Sequence, residues 1–228
     1  MTQLLIVTAV EPERDAVCRH LDARGDLLGW QAVSVADTPL GRVTVLAGGV
    51  GPAASAASTA AALANAGSTP FDLVLSAGIA GGFDVEPGGV VSATQIVFAD
   101  LGAETPGFES ASELGFGHDT YPVSPQIAAE LAQRTRARLG SVLTVSTVTG
   151  TAATAALRRG RHPDARAEAM EGAGVAAAAV AAQTPVAELR TISNLVGPRD
   201  RSSWRIPQAL DALAAAVRDL TSTPLEIR

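Results

Sequence analysis

Short apolar runs alternate with amphipathic or alanine-rich segments along the 228-residue chain. The runs at 4–10, 27–35 and 41–49 are typical of buried strands. Further strands are predicted at 71–82, 88–100, 141–151 and 184–194. Prolines near the start of several intervening segments, or glycines at their ends, favour helices. The predicted helices are 11–25, 51–67, 124–140, 152–160, 168–182 and 206–220.

This alternation indicates an α/β fold, with a central mixed and mainly parallel twisted sheet flanked by helices. In the last helix Leu210, Leu213, Val217 and Leu220 share one face, as expected for packing on a sheet. No repeat, linker or charged tail divides the sequence, so we expect a single domain over 1–228. The long segment 100–122 is rich in Gly, Pro and aromatic residues, and such loops in compact domains are usually functional or disordered.

Composition narrows the class of protein. The net charge is −6, which gives no electrostatic footprint for nucleic acid or an anionic membrane. The one cysteine, Cys18, leaves no disulfide within the chain and fits a reducing cytoplasm. The first residues lack a basic signal-peptide region, and no apolar run reaches the roughly 18 residues of a membrane span. We therefore expect a cytoplasmic protein without nucleic-acid or membrane partners.

Candidate chemistry lies after the strands, because ligands of open α/β sheets bind beyond the carboxyl ends of the strands. The segments there are TAVEPER, AGGVGP, SAGIAGG, STVTGT and SNLVGPRDRSSW. Together with the start of the alanine-rich helix they offer carboxylates, glycine turns, hydroxyls, an amide and arginines. No Walker-type phosphate loop and no metal-ligand spacing is present, because the three histidines are far apart. We predict no metal and no cofactor.

Two glycine and carboxylate features have alternative interpretations. Gly49-x-Gly51-x-x-Ala54 approaches a dinucleotide fingerprint, but its acidic partner would be Asp72, which stands at the start of a strand. Glu171 heads a segment of almost only Ala, Gly and Val, where an unpaired buried charge costs several kcal/mol. It is either a solvated first-turn glutamate or a buried carboxylate with a partner elsewhere. Two adjacent sugar hydroxyls would be such a partner, and a carboxylate-rich pocket suits glycosidic cleavage.

The motifs TAVEPER, GGVG, SAGIAGG, AMEGAG and RTISN, in this order, resemble the nucleoside phosphorylase and nucleosidase superfamily over essentially the whole chain. Within it, ADLGAETPGF, TVSTVTGTA, EAMEGAG and SNLVGPRDRSSWRI are most similar to the futalosine hydrolase family. The resemblance implies an N-ribosyl hydrolase for a small-molecule nucleoside. It would release hypoxanthine from futalosine, a step of menaquinone biosynthesis by the futalosine route.

The resemblance also implies roles for individual residues. Glu13, otherwise an ordinary first-turn glutamate, matches the water-activating carboxylate. Met170 and Glu171 match the pair that holds the ribose, and Arg190 matches an arginine that supports the ribose region. The turn beside water and ribose is predicted to include Gly51, Ile79 and Ala80.

The chain departs from its relatives in two places. The first glutamate of their E-M-E motif falls on Ala169, and Glu168, one position off, is expected to point elsewhere. Adenine-specific relatives carry aspartate where this chain has Asn194. A carboxamide both donates and accepts hydrogen bonds, so Asn194 predicts a 6-oxopurine as the base. Asn194 is also expected to help this base leave. The alternative is an asparagine that only caps backbone groups at the end of a strand. The wall against the base is predicted to comprise Val148, Thr149, Gly150 and Thr151.

Three other functions compete with this interpretation. Superfamily phosphorylases typically bring an arginine to phosphate on the strand before the glycine turn, but LVLSAGIAGG has none and Glu13 would repel an anion. A methylthioadenosine or adenosylhomocysteine nucleosidase is disfavoured by Asn194. A catalytically silent nucleoside-binding protein is disfavoured by the presence of both Glu13 and Glu171.

The 5′ side of the substrate and the assembly are left open. A 3-carboxyphenyl ketone would need a cation and an aromatic ring. The candidates are Arg199, Arg201 and Arg205 for its carboxylate and Trp204 or Phe116 for its ring, although an ordinary solvated loop explains 199–205 equally well. Segment 100–122 resembles one that reaches a neighbouring subunit's site in relatives, which implies a homo-oligomer, a dimer or higher.

Overall fold

The computed structural model describes residues 1–104 and 107–225. Its strands are β1 (Thr2–Thr8), β2 (Arg24–Leu28), β3 (Gln31–Asp37), β4 (Gly41–Ala47), β5 (Leu73–Gly82), β6 (Val90–Phe98), β7 (Gly102–Glu104), β8 (Phe108–Ser110), β9 (Thr120–Pro122), β10 (Arg138–Thr144), β11 (Ala165–Ala169) and β12 (Val186–Leu195). Its helices are α1 (Glu11–Cys18), α2 (Pro52–Ala64), α3 (Pro125–Thr135), α4 (Ala152–Arg161), α5 (Gly172–Ala181) and α6 (Ile206–Thr221), with a 3₁₀ turn at Arg201–Ser203.

The main sheet is mixed, with the strand order β11-β10-β6-β12-β5-β1-β4-β3-β2 and β9 paired to β6. Parallel pairs form its centre: β4 with β1, β1 with β5, β5 with β12, and β10 with both β6 and β11. An antiparallel contact between β11 and β5 closes β5, β12, β6, β10 and β11 into a ring. The predicted α/β fold with a central mixed sheet flanked by helices is therefore confirmed.

Several predicted elements have different bounds in the structure. Segment 27–35 is the end of β2, a turn and β3, because Gly29 takes a left-handed backbone conformation (φ 62°) and reverses the chain. The helix predicted to stop at Gly140 stops at Thr135, where the left-handed Arg136 (φ 55°) ends it, and Gly140 lies within β10. Segment 100–122 contains β7, β8 and β9, and its residues 105–106 lie outside the described part.

The strand β11 was not predicted at all, since its sequence ARAEA has no apolar run. Its alanines are nonetheless buried, and its pairing with both β10 and β5 closes the ring of strands. The predicted apolar face of the last helix is confirmed, because Leu213, Val217 and Leu220 of α6 are buried in the core and Leu210 packs partly buried against it.

Small residues let α2 and α5 approach closely. A Cβ atom on Gly174 of α5 would overlap the Pro52 carbonyl oxygen and the Ser55 hydroxyl of α2. The Ser55 hydroxyl instead donates a hydrogen bond to the Glu171 carbonyl oxygen, 3.0 Å away. The two helices thus start side by side, with Gly51 and Glu171 as their first flanking residues. Within 1–104 and 107–225, no helix is long and apolar enough to cross a bilayer.

Candidate active site

A cavity of about 250 Å³ opens at the carboxyl ends of β1, β5, β11 and β12. The structure brings these predicted residues together in its lining: Glu13, Ile79, Ala80, Val148, Thr149, Met170, Glu171, Asn194, Arg199 and Trp204. Gly51 and Arg190 lie behind the wall in contact with Glu171. The scattered motifs converge because parallel strands deliver their following segments to one edge of the sheet.

Glu13 lies in the first turn of α1 and is only 4% exposed. Its Oε1 accepts a hydrogen bond from the Ile79 amide (2.8 Å), and its Oε2 accepts from the amides of Ala9 (2.9 Å) and Val10 (3.3 Å). Burial raises the pKa of Glu13, and Arg190 and the amide hydrogen bonds only partly oppose that shift. The result is a carboxylate in a fixed orientation with a pKa nearer neutrality, which suits a general base.

Gly78 makes room for this arrangement. A Cβ atom at this position would lie 2.6 Å from Glu13 Oε1 and 2.8 Å from Arg190 Nη1. The carboxylate of Glu13 and the guanidinium of Arg190 therefore meet above the bare backbone of β5. No residue with a side chain fits there without moving one of them.

Glu171 has the partner that its apolar segment does not supply. Its Oε2 lies 3.2 Å from Arg190 Nη1 and accepts from the Met170 amide (3.3 Å), and its Oε1 accepts from the Gly51 amide (3.3 Å). The carboxylate is 6% exposed and lies where α2 and α5 both begin, and helix starts favour negative charge. The alternative of a solvated first-turn glutamate is therefore wrong.

Arg190 is a buried cation held from three sides. Its Nε donates to Glu188 Oε1 (2.8 Å) and its Nη2 donates to the Ser76 hydroxyl (3.0 Å). Nη1 stands at ion-pair distance from Glu171, but its N–H groups find no acceptor in hydrogen-bond geometry among the described residues. Burial lowers the pKa of Arg190, and Glu188, Glu171 and Glu13 outweigh it and raise the pKa above its ordinary value.

Glu168 lines the cavity, so the expectation that it points elsewhere is wrong. Its two oxygens accept from the amide (2.7 Å) and the hydroxyl (2.6 Å) of Thr149, and Arg158 Nε is 3.4 Å away. Glu168 and Met170 are two positions apart at the end of β11, and strand alternation puts them on the same side. Recognition of β11 as a strand would have revealed this.

Asn194 lies half-buried near the end of β12, just after an irregularity in its pairing with β5. Its Nδ2 donates to the Leu195 carbonyl oxygen (3.0 Å), and its Oδ1 accepts from the Ser193 hydroxyl (2.7 Å). These two bonds fix the orientation of the carboxamide. Nδ2 keeps a second N–H and Oδ1 a second lone pair for a ligand.

The predicted wall against the base is only partly in the lining. Val148 and Thr149 face the cavity, but Gly150 and Thr151 do not. The Gly150 carbonyl oxygen accepts from the Arg199 amide (3.2 Å), and the Thr151 hydroxyl caps α4 by accepting from the Thr154 amide (3.1 Å). Both are occupied in holding the loops that carry the lining residues.

Only some of the residues predicted for the 5′ side of the substrate line the cavity. Trp204 and Arg199 line the cavity, and the guanidinium carbons of Arg199 and Arg201 lie 5.7 and 5.9 Å from the centre of the Trp204 ring. Arg201 is not in the lining, and the Arg205 side chain donates to the Ser202 carbonyl oxygen (3.2 Å). Phe116 is 82% exposed and lies outside the cavity, so it does not pack at this site within one chain.

A family model described as Phosphorylase superfamily matches residues 3–223. A futalosine hydrolase from Streptomyces coelicolor is 55% identical over 223 residues, which are 95% of this chain and 94% of that relative. The chain belongs to the futalosine hydrolase family of the phosphorylase superfamily. A second futalosine hydrolase, from Acidothermus cellulolyticus, is 44% identical over 220 residues, covering 93% of this chain and 87% of the relative.

Solved structures show that this futalosine hydrolase family member shares the fold of a nucleosidase. A methylthioadenosine/adenosylhomocysteine nucleosidase from Colwellia psychrerythraea, in complex with adenine, matches 99% of this chain and 98% of its own with a TM-score of 0.81 and 22% identity. The corresponding enzyme from Neisseria meningitidis matches 97% and 99% with a TM-score of 0.82 and 17% identity. At these identities the likeness concerns the fold.

Sequence reasoning missed two carboxylates of the site, Glu168 and Glu188. Both lie on strands whose alternating pattern is obscured by alanines or by other polar residues. Across 1–104 and 107–225, no group of three or more His, Cys, Asp or Glu residues is placed to hold a metal ion.

Proposed function

We propose that this protein hydrolyses the N-glycosidic bond of futalosine and releases hypoxanthine. The observation that carries the proposal is that a buried Glu13, held by backbone amides, lines the same cavity as Glu171 and Asn194. The futalosine hydrolases at 55% and 44% identity support the choice of substrate. The step belongs, in this proposal, to menaquinone biosynthesis by the futalosine route.

Glu13 takes a proton from the attacking water. Its oxygens accept from three amides, which leaves one lone pair, on Oε1, for an O–H donor. The N–H groups of Arg190 Nη1, which have no acceptor among the described residues, lie beside the same carboxylate above Gly78. The water oxygen bonds to C1′ as the C1′–N9 bond breaks, and the electron pair leaves with the purine. Glu13 holds the water's proton and then returns it to the departing base.

Glu171 and Met170 hold the ribose. Each Glu171 oxygen accepts one amide hydrogen bond, Oε1 from Gly51 and Oε2 from Met170 beside Arg190, and retains a lone pair for one of two adjacent sugar hydroxyls. The 3.2 Å ion pair with Arg190 fixes the Glu171 carboxylate in place, so the sugar meets an acceptor that is already oriented. This carboxylate also favours the positive charge that develops on the ribose in the transition state.

Asn194 selects the base. Its remaining N–H donates to O6 or N7 of a 6-oxopurine, where negative charge accumulates as the bond breaks. An ionised aspartate at this position would accept from a 6-amino group and would repel O6. The fixed carboxamide therefore favours hypoxanthine over adenine as leaving group.

Trp204 and Arg199 receive the 5′ substituent. An indole ring at the cavity, with a guanidinium on the lining beside it, offers a stacking surface and a cation to a carboxyphenyl group. Arg201 adds positive charge from outside the lining. Arg205, whose side chain is bound to Ser202, is the weakest of the three arginine candidates.

We also propose a homo-oligomer that works in the cytoplasm. The exposed Phe116 lies on the segment whose counterpart in relatives reaches a neighbouring subunit, so it is a candidate for the partner's site. The single cysteine, Cys18, supports a reducing compartment. The oligomer would be tested by light scattering of the purified protein, with a monomer contradicting it.

The test is chromatography of the products formed from futalosine, methylthioadenosine and inosine in phosphate-free buffer. Hypoxanthine from futalosine is expected in the wild type, with a loss of about 10³-fold in Glu13→Gln. Glu11→Gln, an exposed glutamate two positions away, is the matched control and should keep wild-type activity. Adenine from methylthioadenosine with futalosine intact, dependence on phosphate, or tight binding without turnover would each contradict the proposal and favour one named competitor.

A further inference from the structure

A fourth carboxylate, Glu188, lies behind the cavity in contact with Arg190. It is in the interior of β12, two residues before Arg190, and it has no exposed surface. Its Oε1 accepts from Arg190 Nε at 2.8 Å, and its Oε2 has no hydrogen-bond donor among the described residues. A polar side chain this deep in an apolar core costs stability, so it is retained for some other reason.

The surroundings of Glu188 are shaped to accommodate it. A Cβ atom on Gly172, the first residue of α5, would overlap both Glu188 oxygens. The carboxylate therefore touches the start of α5, where the helix dipole favours negative charge. Burial raises the pKa of Glu188 above its ordinary value, and Arg190 opposes that shift only in part.

We propose that Glu188 is a positioning residue for Arg190. It fixes the guanidinium so that Nη1 stays between Glu13 and Glu171, and its negative charge offsets part of the positive charge that acts on these two carboxylates. The inference rests on the proposed function for its catalytic consequence. Glu188 lies outside the cavity lining and touches no substrate. With Nε bound to Glu188 and Nη2 bound to Ser76, the guanidinium plane is set and Nη1 points toward the two carboxylates.

The charged groups around this pair come from three elements. Arg190 is on β12 itself, Glu171 is at the start of α5, and Glu13 is on α1, while β5 contributes the Ser76 hydroxyl. If the charge of Glu188 is removed, more of the positive field of Arg190 acts on Glu13. That field lowers the pKa of Glu13. The base then becomes weaker, and it also stays ionised to lower pH.

The test is the pH profile of kcat/KM for Glu188→Gln, whose amide oxygen still accepts from Nε. We expect the acidic limb to move down by about one pH unit and the plateau of kcat to fall by roughly 3–10-fold. Glu188→Asp keeps the charge and should return the limb to its wild-type position. Glu130→Gln is the matched control, because it breaks another glutamate–arginine pair, to Arg134, outside the cavity lining, and it should leave the profile unchanged.

A limb that stays at its wild-type position in folded Glu188→Gln would overturn the proposal, even if stability or kcat falls. The carboxyl ¹³C shift of Glu13, assigned by its absence in Glu13→Gln, gives the same titration without substrate. If the wild type fails to turn over futalosine, the proposed function fails, and the ¹³C titration still decides the role of Glu188. If Glu188→Gln does not fold, the Glu13 carboxyl is titrated instead in Glu188→Asp and in Ser76→Ala. The comparison of these two variants then decides the role of Glu188. An equal shift of Glu13 in both would contradict a charge effect, because both variants keep the charge.

Discussion

Gly78→Ala should impair catalysis without removing any polar group. The new methyl group would lie 2.6 Å from Glu13 Oε1 and 2.8 Å from Arg190 Nη1, whereas ordinary contacts begin at 3.4 Å. The carboxylate must therefore retreat by about 0.8 Å, and a misplacement of about 1 Å at a reacting group costs on the order of 10²-fold in rate. Neither neighbour yields easily, because Ile79 anchors Glu13, and Glu188 and Ser76 anchor Arg190.

The assay is the rate of hypoxanthine release from futalosine, together with the melting temperature. We expect kcat to fall by about 10²-fold. Overpacking should cost about 1–3 kcal/mol, or about 2–4 °C in Tm for each kcal/mol in a protein of this size. Gly160→Ala on α4 is the control, since nothing lies within 4 Å of its added Cβ, and it should keep full activity. Wild-type kcat and Tm in Gly78→Ala would refute this account of the site.

Three further predictions concern residues of the candidate site. The kcat/KM of the wild type should be constant above the raised pKa of Glu13 and fall about tenfold per pH unit below it, because protonation removes the base. An acidic limb at or below pH 4.5, the ordinary pKa of a glutamate, would contradict this. Asn194→Asp should lower the ratio of hypoxanthine to adenine release by about 10²-fold in a competition between futalosine and its 6-amino analogue. Trp204→Ala should raise KM for futalosine by about tenfold with little change in kcat; an unchanged KM would exclude a role for Trp204 at the 5′ side.

The loop before β9 offers a stability test. Burial raises the pKa of Asp119, but hydrogen bonds from Ser110, Ser112 and Thr120 outweigh it and hold the pKa well below the ordinary 3.8. A lowered carboxyl pKa stabilises the folded state above the unfolded pKa, and this contribution is lost as pH falls. Asp119→Asn should therefore lower Tm at pH 7, and the difference should shrink below about pH 4. A Tm difference that stays constant with pH would contradict this linkage.

Much of the fold was accessible from the sequence because strong local signals carry it. The buried strands β1 and β5 carry apolar runs, and Pro52 and Pro125 mark helix starts. Residues after those strands were expected at one edge of the sheet, and Glu13, Met170 and Asn194 do line one cavity there. Their catalytic roles stay predictions.

The rest depends on tertiary contacts that leave no local signal. Strand β11 is two polar residues among three alanines, and only its pairing with β10 and β5 makes it a strand. The orientation of Glu168 followed from that strand and was therefore predicted wrongly. Glu188 was overlooked because a glutamate inside a strand normally indicates a solvated edge, and only the space at Gly172 lets it be buried.

The close approach of α2 and α5 limits how this enzyme can be engineered for heat resistance. Cavity filling and larger apolar side chains are the usual routes to a higher melting temperature. At Gly174 any side chain would push the two helix starts apart, and with them the Gly51 amide and Glu171. Stabilising substitutions that leave the cavity intact should therefore lie on surface helices such as α4, whereas the packed contact at Gly174 has no room for a larger side chain.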